Sequence, residues 1–129
     1  MAGIRDLKEL LKSMQPKLIE KEFVFCTVSE DFFSRMKILP LLVFREDEGI
    51  TLILERKIAD ENSLSYSCTW ALVTLGVHSD LAAVGFLAAV TSKLASAGIS
   101  TNVVSAYYHD HLFVPFEKAG KAMKLLMES

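Results

Sequence analysis

Val73-Thr74-Leu75-Gly76-Val77-His78-Ser79-Asp80-Leu81 carries the chain out of a β-branched run and into an apolar helical stretch, with His78-Ser79-Asp80 as the polar step between them. Before the step, Tyr66 to Leu75 is rich in aromatic and β-branched residues, which predicts a long strand. After it, residues 80–97 place Ala83, Leu87, Val90 and Leu94 on one stripe. Gly98 follows, suited to a left-handed C-terminal cap, so the stretch predicts a helix. A strand entering a helix through so short a turn leaves the first free N–H groups and the positive end of the helix dipole beside the strand terminus. Such a corner can receive a carboxylate or phosphate.

Toward the C-terminus, Asn102 to Tyr108 and His111 to Phe116 are expected strands separated by a tight polar corner. Ala119, Ala122, Met123, Leu126 and Met127 then trace an amphipathic helix. The second half therefore runs βαββα. Toward the N-terminus, Ile4, Leu7, Leu11 and Met14 share one helical face, and Pro16 stands where that helix must stop. Glu22 to Val28 reads as a buried strand, and Ser29 caps a short helix before Pro40. Leu41 to Phe44 and Ile50 to Leu54 flank the polar turn Glu46-Asp47-Glu48-Gly49, which predicts a hairpin. A further short helix is expected within Ile58 to Leu64. The first half thus repeats the order of the second. With Ala59-Asp60-Glu61-Asn62-Ser63 as the candidate boundary, the expected division is 1–63 and 64–129, two pseudo-repeated halves packed as one compact α+β unit.

Composition bounds the function. A chain of 129 residues holds one compact domain or two very small ones, and 51% hydrophobic residues suffice for a core. A net charge of −2 gives no broad cationic surface, so nucleic acid is not an expected partner. The longest uncharged stretch, Leu81 to Ser92, falls short of the roughly 20 apolar residues of a membrane span, and the charged amphipathic N-terminus is unlike an export signal. Cys26 and Cys68 lie singly in apolar runs and are expected as reduced core thiols. A cytoplasmic protein is expected.

Two readings stand for the glycines and the polar step. Gly76 permits close backbone approach, and Gly85 inside the helix, where glycine costs about 1 kcal/mol against alanine, fits either tight helix–sheet packing or room for a ligand. Ser79 or Asp80 is accounted for as a plain N-cap, while Asp80 also suits an ammonium group. A ligand carrying both charges, such as an amino acid, matches the corner. His109-Asp110-His111 offers metal-ligand residue types, but Asp at a turn tip is ordinary turn chemistry and no third ligand is evident, so no metal is expected. His78-Ser79-Asp80 holds the residue types of a hydrolase triad as chain neighbours, without the convergence from distant positions that a triad requires. No catalytic residues and no cofactor are expected. Adjacent strand residues Tyr107 and Tyr108 are expected on opposite sheet faces.

The run Val77 to Val90, with Ala97 to Val104 and Tyr108 to Pro115, resembles the ACT-domain branch typified by small tandem-ACT proteins. Phe23 to Cys26 and Phe44 to Leu52 are similar to that family's N-terminal half. The resemblance implies ferredoxin-like βαββα(β) units with antiparallel sheets covered by helices: a degenerate ACT-like half over 1–63 and an ACT domain over 64–129. It also implies regulatory amino-acid binding. Carried over position by position, the ligand-binding residues are Val77, His78, Ser79 and Asp80 in the turn, Leu81, Val84 and Gly85 at the helix start, and Asn102, Val103 and Val104 on the second strand. The family's unit closes with a fourth strand after its second helix, and no such strand follows the last stripe here, so a strand from the N-terminal half is expected to complete the sheet.

The leading expectation is a non-catalytic amino-acid sensor. The surplus apolar surface of helix 80–97 is expected to meet Leu7 and Leu11 or a second copy, giving a homodimer. The competing readings are an interaction module without ligand and a metalloprotein using His109 and His111.

Overall fold

The computed structural model describes residues 11–77 and 85–128. The chain divides into two compact units: Lys21–Trp70, and the residues up to Glu20 taken together with those from Ala71 onward.

The unit of residues 21–70 follows the order β1 (Pro16–Val28), α1 (Glu30–Arg35), β2 (Leu42–Arg45), β3 (Ile50–Glu55), α2 (Arg56–Glu61), with β1 entering from the other unit. β3 pairs antiparallel with both β1 and β2, with Val24 opposite Leu54 and Phe44 opposite Thr51. The Ser29 side chain accepts a hydrogen bond from the Phe32 N–H at 3.0 Å, capping α1 as expected. The hairpin turn closes through Glu46 N–H to Gly49 O at 2.9 Å. Val24, Cys26, Val28, Ile50, Leu52, Leu54 and Ala59 form the core. α2 begins directly at Arg56, two residues earlier than the sequence pattern places it.

The other unit runs β4 (Trp70–Leu75), α3 (Phe86–Ser96), β5 (Asn102–Ser105), β6 (Asp110–Pro115), a 3₁₀ turn over Phe116–Lys118, and α4 (Ala119–Met127). Both units therefore present βαββα in chain order. β4 lies between the start of β1 and β6, and β5 is the edge beyond β6. Gly76 N–H donates to Gln15 O at 2.9 Å and Val77 N–H to Met14 O at 3.2 Å. One chain advances as the other recedes, so the two run antiparallel. Pro16–Glu20 thus occupies the place of the fourth ferredoxin-like strand, which answers the expectation that an N-terminal strand completes this sheet. Met14, Ala71, Val73, Leu75, Val90, Leu94, Leu112, Val114, Ala122 and Leu126 are the core of this unit, with Leu11 and Leu18 packed against it.

Several expectations are corrected. β1 begins at Pro16 and not near Glu22; proline, lacking an N–H, is tolerated at the first residue of a strand. β4 begins at Trp70 and not at Tyr66, because the Tyr66 hydroxyl donates to Asp60 at 2.7 Å and accepts from Arg56 at 3.2 Å, fastening that segment to α2. Gly85 is not inside a helix: it is the N-cap of α3 at φ 84, a left-handed conformation that favours glycine. Cys26 is buried, but Cys68 is exposed and is no core thiol. Gly98 matches expectation, at φ 75, with Gly98 N–H to Ala95 O at 2.9 Å and Ile99 N–H to Leu94 O at 3.0 Å. No helix among the described residues is long and apolar enough to cross a membrane.

Candidate functional site

The end of β4, the start of α3 and β5 all belong to the unit that holds β4, with β6 between β4 and β5. Val77 is 5% exposed and belongs to the core, with its N–H given to Met14. Gly76 does serve a close approach, and the approaching group is Gln15: a Cβ at Gly76 would stand 3.0 Å from Gln15 O and 3.1 Å from Gln15 Cβ. The strand terminus is therefore occupied by the crossing N-terminal segment. His78, Ser79, Asp80, Leu81 and Val84 lie outside the described residues. Gly85 is exposed, and behind it Ala89 N–H donates to Gly85 O at 2.9 Å, which opens α3. The first-turn N–H groups of Phe86 to Ala88 have no acceptor within the helix, as at any helix start.

On β5, Val103 packs against the core while Asn102 and Val104 occupy the other face, since side chains alternate along a strand. Val103 stands opposite Leu112, and Val104 opposite His111. The three residues thus divide between two sheet faces: the Val104 face reaches His111, and the Val103 face reaches α3 and α4.

The Val104 face carries polar chemistry that the sequence reading did not assemble. His111 Nδ1 is hydrogen-bonded to Thr74 Oγ1 at 2.9 Å, across from β6 to β4. Strand alternation and the ferredoxin-like order together contain this pairing, because β4 and β6 are neighbours in that order. The expected turn tip is also corrected. Ala106 N–H donates to His109 O at 3.0 Å, so the corner is Ala106 to His109, and Tyr107 and Tyr108 are both exposed at its tip instead of straddling the sheet. Asp110 is the first residue of β6 and, at 6% exposure, the buried charged residue among those described.

His109 and His111 have ring centroids 6.5 Å apart. Among the described residues no group of three His, Cys, Asp or Glu side chains is placed to hold a metal ion. Burial pushes the His111 pKa down, the nearby His109 adds to this, and Asp110 opposes it. The folded state therefore binds fewer protons at His111 than the unfolded chain does, and stability rises with pH through this window. The expected result is a loss of stability as pH falls from neutrality past the ordinary histidine range near about 6.5, flattened in His111→Gln. Urea midpoints taken across that range, for both chains, check it.

Comparison with known proteins adds the context. A family model described as an ACT domain matches residues 2–71, and a second, likewise described as an ACT domain, matches residues 65–128. A crystal structure of a Vibrio cholerae protein of unknown function, described as a possible transport protein, is 47% identical, covers 98% of each chain and superposes with a TM-score of 0.84. The regulatory subunit of aspartate kinase from Thermus thermophilus, in its ligand-free form, is similar at TM-score 0.67 and 10% identity, covering 91% of this chain and 97% of that one. A protein from Agrobacterium tumefaciens is similar at TM-score 0.67 and 18% identity over 88% and 87%. The latter two likenesses are of fold. No curated protein matches the chain.

Proposed function

Because the chain belongs to the ACT-domain family, we propose that it is a non-catalytic regulatory protein that senses a small molecule, an amino acid, at the corner where β4 gives way to α3. The observation that carries this reading is that two ACT-domain models together span the chain while the unit holding β4 completes a four-stranded ferredoxin-like sheet. In this reading the ligand carboxylate meets the helix-start N–H groups, Asp80 takes the ammonium, and Asn102 to Val104 form the opposing strand. A homodimer and a cytoplasmic location belong to the same reading, as does the division into a degenerate half, 1–63, and an ACT domain, 64–129.

A binder of the folded state stabilises it by mass action. An amino acid at ten times its Kd contributes about 1.4 kcal/mol, which raises Tm by about 6–11 °C for a unit of this size. A thermal-shift series over the common amino acids reads this directly. One or a few should raise Tm in the full chain and fail to do so in Asp80→Ala. A flat response across the whole series at millimolar concentration sinks the reading.

The interaction-module reading has its own support. Leu41, Val43 and Phe44 are exposed on or beside β2, the edge strand of the unit of residues 21–70, and an exposed edge strand with apolar side chains is open to pairing with a partner. Under this reading Asp80→Ala leaves any self-association unchanged, which sedimentation of both chains would register.

A further inference from the structure

The unit of residues 21–70 carries a cleft of about 500 Å³ whose walls are charged side chains of both signs, contributed by β1, the end of β3 and α2. Its volume falls in the range of small-molecule sites, roughly 300–1,000 Å³. Arg56 forms one of its walls. The guanidinium Nε–H donates to the Tyr66 hydroxyl at 3.2 Å, and the same hydroxyl donates to Asp60 at 2.7 Å. Tyr66 therefore fixes the side chain that would otherwise swing free. The charges facing Arg56 are held loosely: Glu22 lies 3.4 Å from its Nη1 and Asp60 3.5 Å from its Nε. Elsewhere in the same unit Arg45 meets both oxygens of Glu30 at 2.8 and 2.9 Å, the closeness of a formed charge-assisted pair. Lys57 and Glu61, one helical turn apart on α2, make no ion pair within 4 Å among the described residues. The cleft thus offers a positioned cation whose pairs are long, and beside it one more charge of each sign with no pair.

We propose that this cleft is a second ligand site, taking a small zwitterion whose carboxylate faces Arg56 and Lys57 and whose ammonium faces Glu61 and Glu22. The inference is independent of the corner at Val77 to Gly85, which belongs to the other unit. A ligand bearing one charge only would satisfy half of the cleft and leave the other half unpaired. With charged groups of both signs presented on aliphatic stems around the cleft, the selectivity is electrostatic and binding falls with salt, because the Debye length shrinks from about 30 Å at 0.01 M to about 3 Å at 1 M.

Amide NMR of the ¹⁵N-labelled full chain, titrated with free lysine and free glutamate, tests this, with sodium acetate and ammonium chloride as single-charge probes. The expected result is saturable movement of the Lys57, Asp60 and Glu61 amides, at least about tenfold tighter for an amino acid than for either salt and lost at about 1 M sodium chloride. Lys57→Gln and Glu61→Gln, at residues that make no ion pair among those described, should each abolish it with the melting temperature unmoved. Movement confined to Val77, Gly85 and Asn102 to Val104 overturns the proposal while leaving the corner reading intact, and movement confined to the cleft does the reverse. Silence at both overturns both. Equal movement with acetate or ammonium shows mere screening of surface charge and also overturns it.

Discussion

Residues 64–129, expressed without the rest of the chain, are expected to show no cooperative unfolding transition, although they contain β4, α3, β5, β6 and α4. The reason is the strand that Pro16–Glu20 lays against β4. Without it, β4 is left with an unpaired backbone edge, and Met14, Leu11 and Leu18 are withdrawn from the core. Met14 is 2% exposed, and emptying such a site costs about 2–5 kcal/mol by itself. A small domain has only about 5–15 kcal/mol of stability in total. A permuted chain in which residue 128 is joined by a flexible linker to residues 11–20 should recover the transition. Far-UV circular dichroism during urea unfolding distinguishes the two. A cooperative melt of the bare 64–129 chain would show that the crossing strand is dispensable.

One substitution made at two leucines should give opposite results. Leu112 on β6 is fully buried, stands opposite Val103, and contributes to the core beneath α3 and α4. Leu112→Ala removes buried methyl groups and leaves a cavity that the sheet cannot collapse into, because both strands flanking β6 are hydrogen-bonded to it. The expected loss is about 2–5 kcal/mol. Leu39 is 91% exposed, so Leu39→Ala should fall within about 0.5 kcal/mol of the parent chain. Denaturant titrations of the three chains decide it. A near-neutral Leu112→Ala would mean that the β6 register places a different face toward the helices.

Elements whose fate is fixed by neighbours in sequence were legible. Ser29 and the acidic residues after it specify α1, Glu46 to Gly49 specify the hairpin turn, and Gly98 ends α3, because caps and turns act over a few residues. Elements fixed by distant partners were not. Lys17, Glu20 and Lys21 break the β-branched pattern, so nothing local marks residues 16–20 as a strand; β4 makes them one. Tyr66 has strand propensity but is held by Asp60 and Arg56, and Tyr107 and Tyr108 form a hairpin tip despite the same propensity. Gly85 departs from the pattern for a related reason: the apolar stripe continues through it, and stripe periodicity carries no sign of φ. At the candidate site, no local pattern marks that Met14 and Gln15 occupy the terminus of β4, because that contact is made across about 60 residues of chain.

The division of β1 between two units has a consequence for the chain as it leaves the ribosome. Residues 21–70 are contiguous and can collapse as soon as they emerge, whereas the strand at residues 16–20 is made first and must wait, unpaired, until β4 and everything after it has been synthesised. The first-made unit of structure is therefore the contiguous one, and the unit that holds β4 assembles last. During that wait the exposed strand carries charges at Lys17 and Glu20 and opens with a proline, features that keep an idle edge from pairing with another nascent chain.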